Sequence, residues 1–156
     1  MTIEKIFASA FQNHQKNNLE VAENLYKEIL KKNPNHFQSN FLLGTLLAQT
    51  KKFDIAKQLL NKAIQINPNY VDAHYNLGNA FKELGEYKSA MSCYEKATEI
   101  DPDYIDAHNN LGNVLRELGE YQKARSSYQK AIDIQPDYAN AHSNLGNTLK
   151  ELGEHQ

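Results

Sequence analysis

Residues 71–104 read VDAHYNLGNAFKELGEYKSAMSCYEKATEIDPDY, and residues 105–138 follow with IDAHNNLGNVLRELGEYQKARSSYQKAIDIQPDY. Aligned without a gap, the two segments share 21 identities in 34 positions. Proline recurs at the same step of 34 residues, at Pro34, Pro68, Pro102 and Pro136. Self-similarity at a fixed period of this length is the signature of a protein built by repeating one supersecondary unit. We therefore divide the chain into units 3–36, 37–70, 71–104 and 105–138 and a half unit, 139–156.

Each full unit is expected to form two helices. In 71–84 the apolar and small residues recur at helical spacing, which places them on one side of a helix. They are His74, Leu77, Gly78, Phe81 and Leu84. The second helix is expected from Tyr87 to about Ile100. Pro102 ends it, because proline lacks an N–H and clashes with the preceding turn.

The turn between the two helices carries its own signal, a glycine at 85, 119 and 153. A left-handed residue commonly ends a helix, and glycine adopts that conformation without a steric clash. Asn17 and Lys51 occupy the same position in the first two units, so we expect left-handed residues there as well. Because these linkers are short, the two helices are expected to be antiparallel neighbours. The small Gly78 and Ala90 are expected where they cross closely.

A recurrent set of residues makes the resemblance to a family specific. In 71–104 the set is Leu77, Gly78, Phe81, Ala90, Tyr94, Ala97 and Pro102; in 105–138 it is Leu111, Gly112, Leu115, Ala124, Tyr128, Ala131 and Pro136. With the period of 34, this pattern resembles the tetratricopeptide repeat (TPR). The unit 3–36 is degenerate, since Ser9 and Ala10 replace Leu-Gly. The resemblance implies an all-α fold, an α-solenoid of stacked antiparallel helix pairs that winds as a right-handed superhelix. It also implies about four and a half repeats in a single domain over 1–156.

Composition indicates which classes of partner and which cellular compartment to expect. The net charge is -2, from 17 Lys and Arg against 19 Asp and Glu, so no basic excess favours nucleic acid. No apolar run reaches the length of a membrane-spanning helix, so no membrane partner is expected. The single cysteine, Cys93, cannot form an internal disulfide. A cytoplasmic location is therefore expected.

The first helix of each later unit carries a polar pattern on the side away from its core positions. It comprises Asp72, Tyr75, Asn76, Asn79, Lys82 and Glu83 in the third unit; Asp106, Asn109, Asn110, Asn113, Arg116 and Glu117 in the fourth; and Asn140, Ser143, Asn144, Asn147, Lys150 and Glu151 in the half unit. In the TPR family this face lines a concave groove. The resemblance therefore implies that a protein or peptide segment is gripped there.

Asparagine is suited to peptide binding because its amide both donates and accepts hydrogen bonds, whatever the ligand's side chains. Stacked units would place Asn76, Asn110 and Asn144 in a ladder, which looks like the asparagine ladder in the TPR superhelix of O-GlcNAc transferase. A second ladder would consist of Asn79, Asn113 and Asn147. The alternative is that these residues are solvated consensus positions without a ligand, and both interpretations stay open.

Several kinds of chemistry are not favoured by the sequence. His74, His108 and His142 lie 34 residues apart, too far to share one metal ion, and are expected to be half-buried packing residues. The carboxylate clamp of chaperone-binding members needs basic residues where this chain has Phe7, Asp72 and Asn76. No nucleophile motif, phosphate-binding loop or activated cysteine is present, so neither catalysis nor a cofactor is expected.

The sequence thus favours a non-catalytic scaffold that binds a protein segment in its groove. One alternative is an adaptor fragment of a larger enzyme of the glycosyltransferase or sulfotransferase kind, which would recruit substrates. Another is self-association through 139–156, where Leu145, Leu149 and Leu152 are expected to lack a partner helix.

Overall fold

The computed structural model describes residues 1–153, and these residues form nine α-helices and no strands. The helices are α1 (Ile3–Gln15), α2 (Leu19–Lys32), α3 (Phe37–Gln49), α4 (Phe53–Ile66), α5 (Val71–Glu83), α6 (Tyr87–Ile100), α7 (Ile105–Glu117), α8 (Tyr121–Ile134) and α9 (Ala139–Glu151). The all-helical prediction is confirmed, and each full unit contains two helices. The last part of the predicted half unit, 154–156, lies outside the described residues.

The chain separates into two compact units. The first runs from Met1 to Ala80 and holds α1 to α4 with most of α5; the second begins at Phe81. In the first unit α1 packs on α2 and α3 on α4, and in the second α7 packs on α8 and α8 on α9. The assignment of 1–156 as a single domain stays a prediction.

The three-residue turns inside the repeats have the left-handed residue that the sequence predicts. The backbone angle φ is +63° at Asn17, +65° at Lys51 and +74° at Gly85. At the first of these turns the Asn18 N–H bonds the Asn13 carbonyl at 2.8 Å, and the Asn17 N–H bonds the His14 carbonyl at 3.1 Å. This pair of bonds is the Schellman motif, which satisfies carbonyls that the end of a helix leaves without a partner. The turn reverses the chain and returns the second helix alongside the first.

The two helices of a repeat meet where a glycine faces a large side chain. A Cβ on Gly112 of α7 would lie 2.5 Å from the Tyr128 ring of α8, and one on Gly44 of α3 would lie 2.9 Å from Leu60 of α4. Tyr128 and Leu60 are fully buried. The residue opposite the glycine therefore lies four positions after the recurrent alanine of the repeat: Tyr128 follows Ala124, and Leu60 follows Ala56. Small residues, Gly78 and Ala90, were predicted at this crossing in the third unit; in the second and fourth units a large side chain fills the space over the glycine.

Each later first helix is tied to the proline turn before it through a histidine. The Nε2–H of His74 donates to the Pro68 carbonyl at 2.7 Å, and His108 makes the same bond to Pro102. His142 bonds the Pro136 carbonyl at 2.6 Å. The first two histidines are 8% and 6% exposed, whereas His142 is exposed. The predicted packing role is confirmed at His74 and His108, which are buried more deeply than expected, whereas the prediction of a half-buried His142 is wrong.

The glycine crossing can be tested by adding one methyl group. We expect Gly112→Ala to lower the free energy of unfolding by about 1–3 kcal/mol, because the methyl group overlaps the Tyr128 ring. Gly146→Ala is the matched control, since no described atom lies within 4 Å of a Cβ there. It should leave stability unchanged or raise it by up to about 1 kcal/mol through helix propensity. Urea titration of both variants measures the difference, and equal effects would contradict this account.

The N-terminus of α3 contains a titratable cap. Nδ1 of His36 accepts a hydrogen bond from the Ser39 N–H at 3.2 Å, and the ring packs on Phe7 with 5.4 Å between centroids. Burial lowers the pKa of His36 below its ordinary value, and Glu4 opposes that shift. A histidine with a lowered pKa stabilises the fold while it is neutral, and this stabilisation is lost as the pH falls through the folded-state pKa.

Acid should therefore weaken the α3 cap selectively. We expect the melting temperature of the wild-type chain to fall more between about pH 7.5 and about pH 5.5 than that of His36→Tyr. Tyrosine is the matched replacement, since Tyr70, Tyr104 and Tyr138 occupy the same repeat position. Thermal melts followed by circular dichroism give both slopes, and identical slopes would remove His36 as the cause.

Candidate functional site

The polar residues predicted for the groove all lie on first helices, and they differ in exposure. Asp72, Tyr75, Asn76, Asn79, Lys82, Asn110, Asn113, Arg116 and Asn144 are half-buried; Glu83, Asp106, Glu117, Asn140, Ser143, Asn147, Lys150 and Glu151 are exposed; and Asn109 is buried. They belong to α5, α7 and α9.

In the first unit an amide joins two first helices. The Nδ2–H of Asn76 on α5 donates to Oγ1 of Thr45 on α3 at 3.1 Å. The Thr45 hydroxyl in turn donates to the Phe41 carbonyl at 2.9 Å, so its oxygen is oriented toward Asn76. The predicted groove residue Asn76 is thus held in place by a polar contact between neighbouring first helices.

In the second unit the amides form two hydrogen-bonded pairs. Asn144 of α9 donates to Oδ1 of Asn109 at 3.2 Å, and Asn113 donates to Oδ1 of Asn110 at 3.5 Å. Asn113 also accepts a bond of 2.7 Å from the hydroxyl of the buried Tyr128. The bond that links α9 to α7 therefore joins Asn144 to Asn109, which is only 5% exposed. Asn109 and Asn113 contribute to the packing of the unit as well as to its polar face.

An ion pair on this face joins two neighbouring first helices. Arg116 of α7 and Glu151 of α9 form an ion pair of 3.0 Å. Burial alone would lower the pKa of Arg116, but hydrogen bonds to Tyr128 and Glu151 raise it, so the guanidinium stays charged. The hydroxyl of Tyr138 donates to Oδ1 of Asp106 at 2.5 Å. This part of the face therefore carries charges of both signs, with an ion pair between α7 and α9.

The first unit contains an aromatic cleft that was not predicted from the sequence. Its volume is about 260 Å³, and its lining consists of Phe7, Phe11, Phe37, Gln38, Phe41, Leu42 and Tyr70. Phe7 and Phe41 stand at the fifth position of their repeats, where Asn109 stands in α7, and Phe11 stands at the ninth, where Asn113 stands. An alignment of these two positions over all repeats would have revealed the change from asparagine to phenylalanine.

A cleft of larger volume lies in the second unit, on the side of α7 that carries His108 and Leu111. It has a volume of about 610 Å³, and Leu111 lies in its lining with Glu95 and Glu99 of α6 and Lys130 and Asp133 of α8. Its charges are mixed in sign, so no single class of ligand is favoured there.

The cysteine and the possible metal ligands of the described residues can be assessed directly. Burial raises the pKa of the Cys93 thiol to about 12, so it is protonated near neutral pH and is a poor nucleophile. Among residues 1–153 no group of three or more His, Cys, Asp and Glu side chains could hold a metal ion. Within the same part of the chain, every helix is too short or too polar to cross a membrane.

The chain matches the model of a known family of helical repeats. The family model for the TPR repeat matches residues 44–85, 78–115 and 112–153. Together these matches run without interruption over 44–153, which is more than half of the chain. Among curated protein sequences, none matches.

Solved structures extend the comparison over almost the whole chain. A crystal structure of MamA protein superimposes with a TM-score of 0.93 at 26% identity, covering 97% of this chain and 82% of that one. A second MamA crystal structure gives 0.89 at 27% identity, covering 92% and 84%. A tetratricopeptide repeat protein from Parabacteroides merdae gives 0.88 at 20% identity, covering 97% and 60%, and this likeness shows the fold alone. The predicted resemblance and the α-solenoid fold class are both confirmed.

Proposed function

Since this chain belongs to the tetratricopeptide-repeat family, we propose that it is a non-catalytic scaffold that binds a protein or peptide segment. The ligand lies on the polar faces of the first helices, which the family resemblance identifies as the groove. The observation that carries the proposal is the series of amides at one repeat position, Asn76, Asn110 and Asn144, on successive first helices. Fold alone does not assign a function, so the chemistry of this face must support it.

Amide side chains support such binding without demanding a particular ligand sequence. Each can donate to a peptide carbonyl and accept from a peptide N–H. Asn76 and Asn144 are partly exposed and are oriented by bonds to Thr45 and Asn109. Side chains that are already held lose less rotamer freedom on binding, which favours affinity.

Replacing the three amides tests the proposed function. We expect Asn76→Ala, Asn110→Ala and Asn144→Ala together to weaken peptide binding at least about tenfold, because each lost hydrogen bond is worth about 0.5–1.5 kcal/mol. The probe is a set of peptides selected from a displayed random library on the wild-type chain. Their affinities for wild type and variant are measured by fluorescence anisotropy.

The matched control removes three exposed amides from second helices, Asn24, Asn61 and Gln129. That variant should bind as wild type does, and circular dichroism should show that both variants remain helical. Peptides that bind the triple-alanine variant with unchanged affinity would contradict the groove assignment. A library that yields no binder would contradict the scaffold function itself.

Self-association through α9 is a second candidate, favoured by one observation. Gly112 of α7 is covered by Tyr128 of α8, whereas the equivalent Gly146 of α9 is exposed, with no described atom within 4 Å of a Cβ. The neighbouring Leu145 and Leu152 are only half-buried, although Leu149 is 8% exposed. This face has the shape of one that receives a helix, and a second copy of the chain could supply it.

Light scattering over a concentration series tests this candidate. We expect the apparent mass of the wild-type chain to rise with concentration, and Leu145→Lys to keep it at 17.8 kDa, because a charge in the contact must be desolvated. Lys150→Leu on the exposed side of α9 is the control for helix content. A wild-type mass that stays monomeric throughout would remove the second candidate.

The remaining alternatives have no observation that favours them. Recruitment of substrates for an attached glycosyltransferase- or sulfotransferase-like enzyme stays a prediction. The cytoplasmic location also stays a prediction, in keeping with the single cysteine.

A further inference from the structure

We propose that the aromatic cleft of the first unit is an anchor pocket that takes one large uncharged apolar side chain of the bound segment. The inference rests on the proposed scaffold function and adds to it a requirement on the ligand's sequence. The ligand carries a leucine, isoleucine, methionine or aromatic residue at one defined position. The amides hold its backbone without reading its sequence, and the cleft supplies the specificity.

The cleft is built from two ladders of rings on neighbouring first helices. Phe7 and Phe11 stack on α1 with 6.1 Å between centroids, and Phe37 and Phe41 stack on α3 at 6.2 Å. Tyr70 closes one end, edge-on to Phe37 and to Phe41 at 5.0 Å. Such ring pairs are mutually stabilising, so the pocket keeps its shape without a ligand.

Exposure shows that the lining is not simply part of the core. Phe11 is 40% exposed, and Phe7, Phe37, Phe41, Leu42 and Tyr70 are half-buried. By contrast, the core residues Ile6, Ala10 and Leu43 are at most 2% exposed. Grouped aromatic rings that remain partly in water mark a surface for an apolar partner.

The size of the cleft favours a single side chain. About 260 Å³ lies below the range of about 300–1,000 Å³ that is usual for drug-sized ligands and cofactors. One large apolar residue, with the peptide backbone crossing the rim, fits a space of this size. The exposed amide of Gln38 in the lining is available to that backbone.

The charge of the lining decides against an ionic or cationic ligand. None of the lining residues Phe7, Phe11, Phe37, Gln38, Phe41, Leu42 and Tyr70 carries a formal charge at neutral pH. A carboxylate or ammonium there would lose its hydration with no opposite charge in the lining. Ring faces attract cations, but the strongest such sites combine rings with full desolvation. An uncharged apolar group gains from burial without this penalty.

The cleft lies next to the polar contact between Thr45 and Asn76 in the same unit. Phe41 and Thr45 are one turn apart on α3, and Thr45 accepts the hydrogen bond from Asn76. A segment bonded to Asn76 therefore reaches the ring of Phe41 within about one helical turn. In the second unit the same repeat positions carry Asn109 and Asn113, so the aromatic pocket belongs to the first unit.

The first experiment replaces rings with the residues that the chain itself uses at these positions. We expect Phe11→Asn with Phe41→Asn to weaken the selected library peptides about tenfold or more, because anchor side chains dominate such interfaces. Val21→Asn is the matched control, since Val21 is 48% exposed on α2 and outside the cleft. The single variant Phe11→Asn, at the most exposed ring, gives the same readout if the double variant unfolds.

The outcomes separate the anchor from the scaffold function. Selected peptides should share one large apolar residue, and its replacement by alanine should lose affinity for wild type but not for the double variant. Peptides that depend on the amides yet bind the ring variants as tightly as wild type would overturn the anchor and leave the scaffold intact. Tighter binding after replacement of that residue by trimethyl-lysine would overturn the uncharged chemistry.

A second experiment does not require a peptide. N-acetyl-phenylalanine methylamide titrated into the ¹⁵N,¹³C-labelled chain should shift the signals of Phe7, Phe11, Phe41 and Tyr70 at millimolar concentration. N-acetyl-lysine methylamide should not shift them. No shift with either probe, or equal shifts with both, would overturn the proposal whatever the library selects.

Discussion

The contact on which the rest depends is the crossing of a glycine by a large buried side chain. The Tyr128 ring occupies the space over Gly112, and Leu60 occupies the space over Gly44. Both fit because glycine has no Cβ, so the two helices of a repeat can approach closely. This approach turns one side of each first helix inward and leaves the polar residues on the opposite side, most of which are half-buried or exposed.

One side chain, Tyr128, contacts both the core side and the polar side of α7. Tyr128 fills the crossing with its ring, while its hydroxyl bonds Asn113 on the polar side of α7. The tyrosine is a large apolar body with one polar atom, and its hydroxyl finds a partner when the ring is buried. The same side chain therefore sets the distance between the helices and orients an amide of the face. A repeat that packs correctly also presents its polar residues correctly.

Much of the fold could be predicted from local sequence. Left-handed residues at Asn17, Lys51 and Gly85 were predicted from their place between two helical patterns, because a helix end needs the same backbone geometry everywhere. The site was less predictable. Repetition drew attention to asparagine, and it hid the cleft, since Phe41 and Phe11 stand at the positions where the fourth unit has Asn109 and Asn113. The burial of Asn109 also depends on a bond from Asn144 of the neighbouring first helix, which no local pattern encodes.

The sequence by itself determined the period, the helices, the turns and the family, because these depend on spacing and on residues whose backbone preferences are local. Only the tertiary structure decided which side chains meet. It brought Phe11 of α1 and Phe41 of α3, thirty residues apart, into one cleft with Tyr70. It also left Gly146 open where Gly112 is covered, although the two glycines stand in nearly identical sequences. Packing sums contacts from distant parts of the chain, so equal local sequences acquire different surroundings.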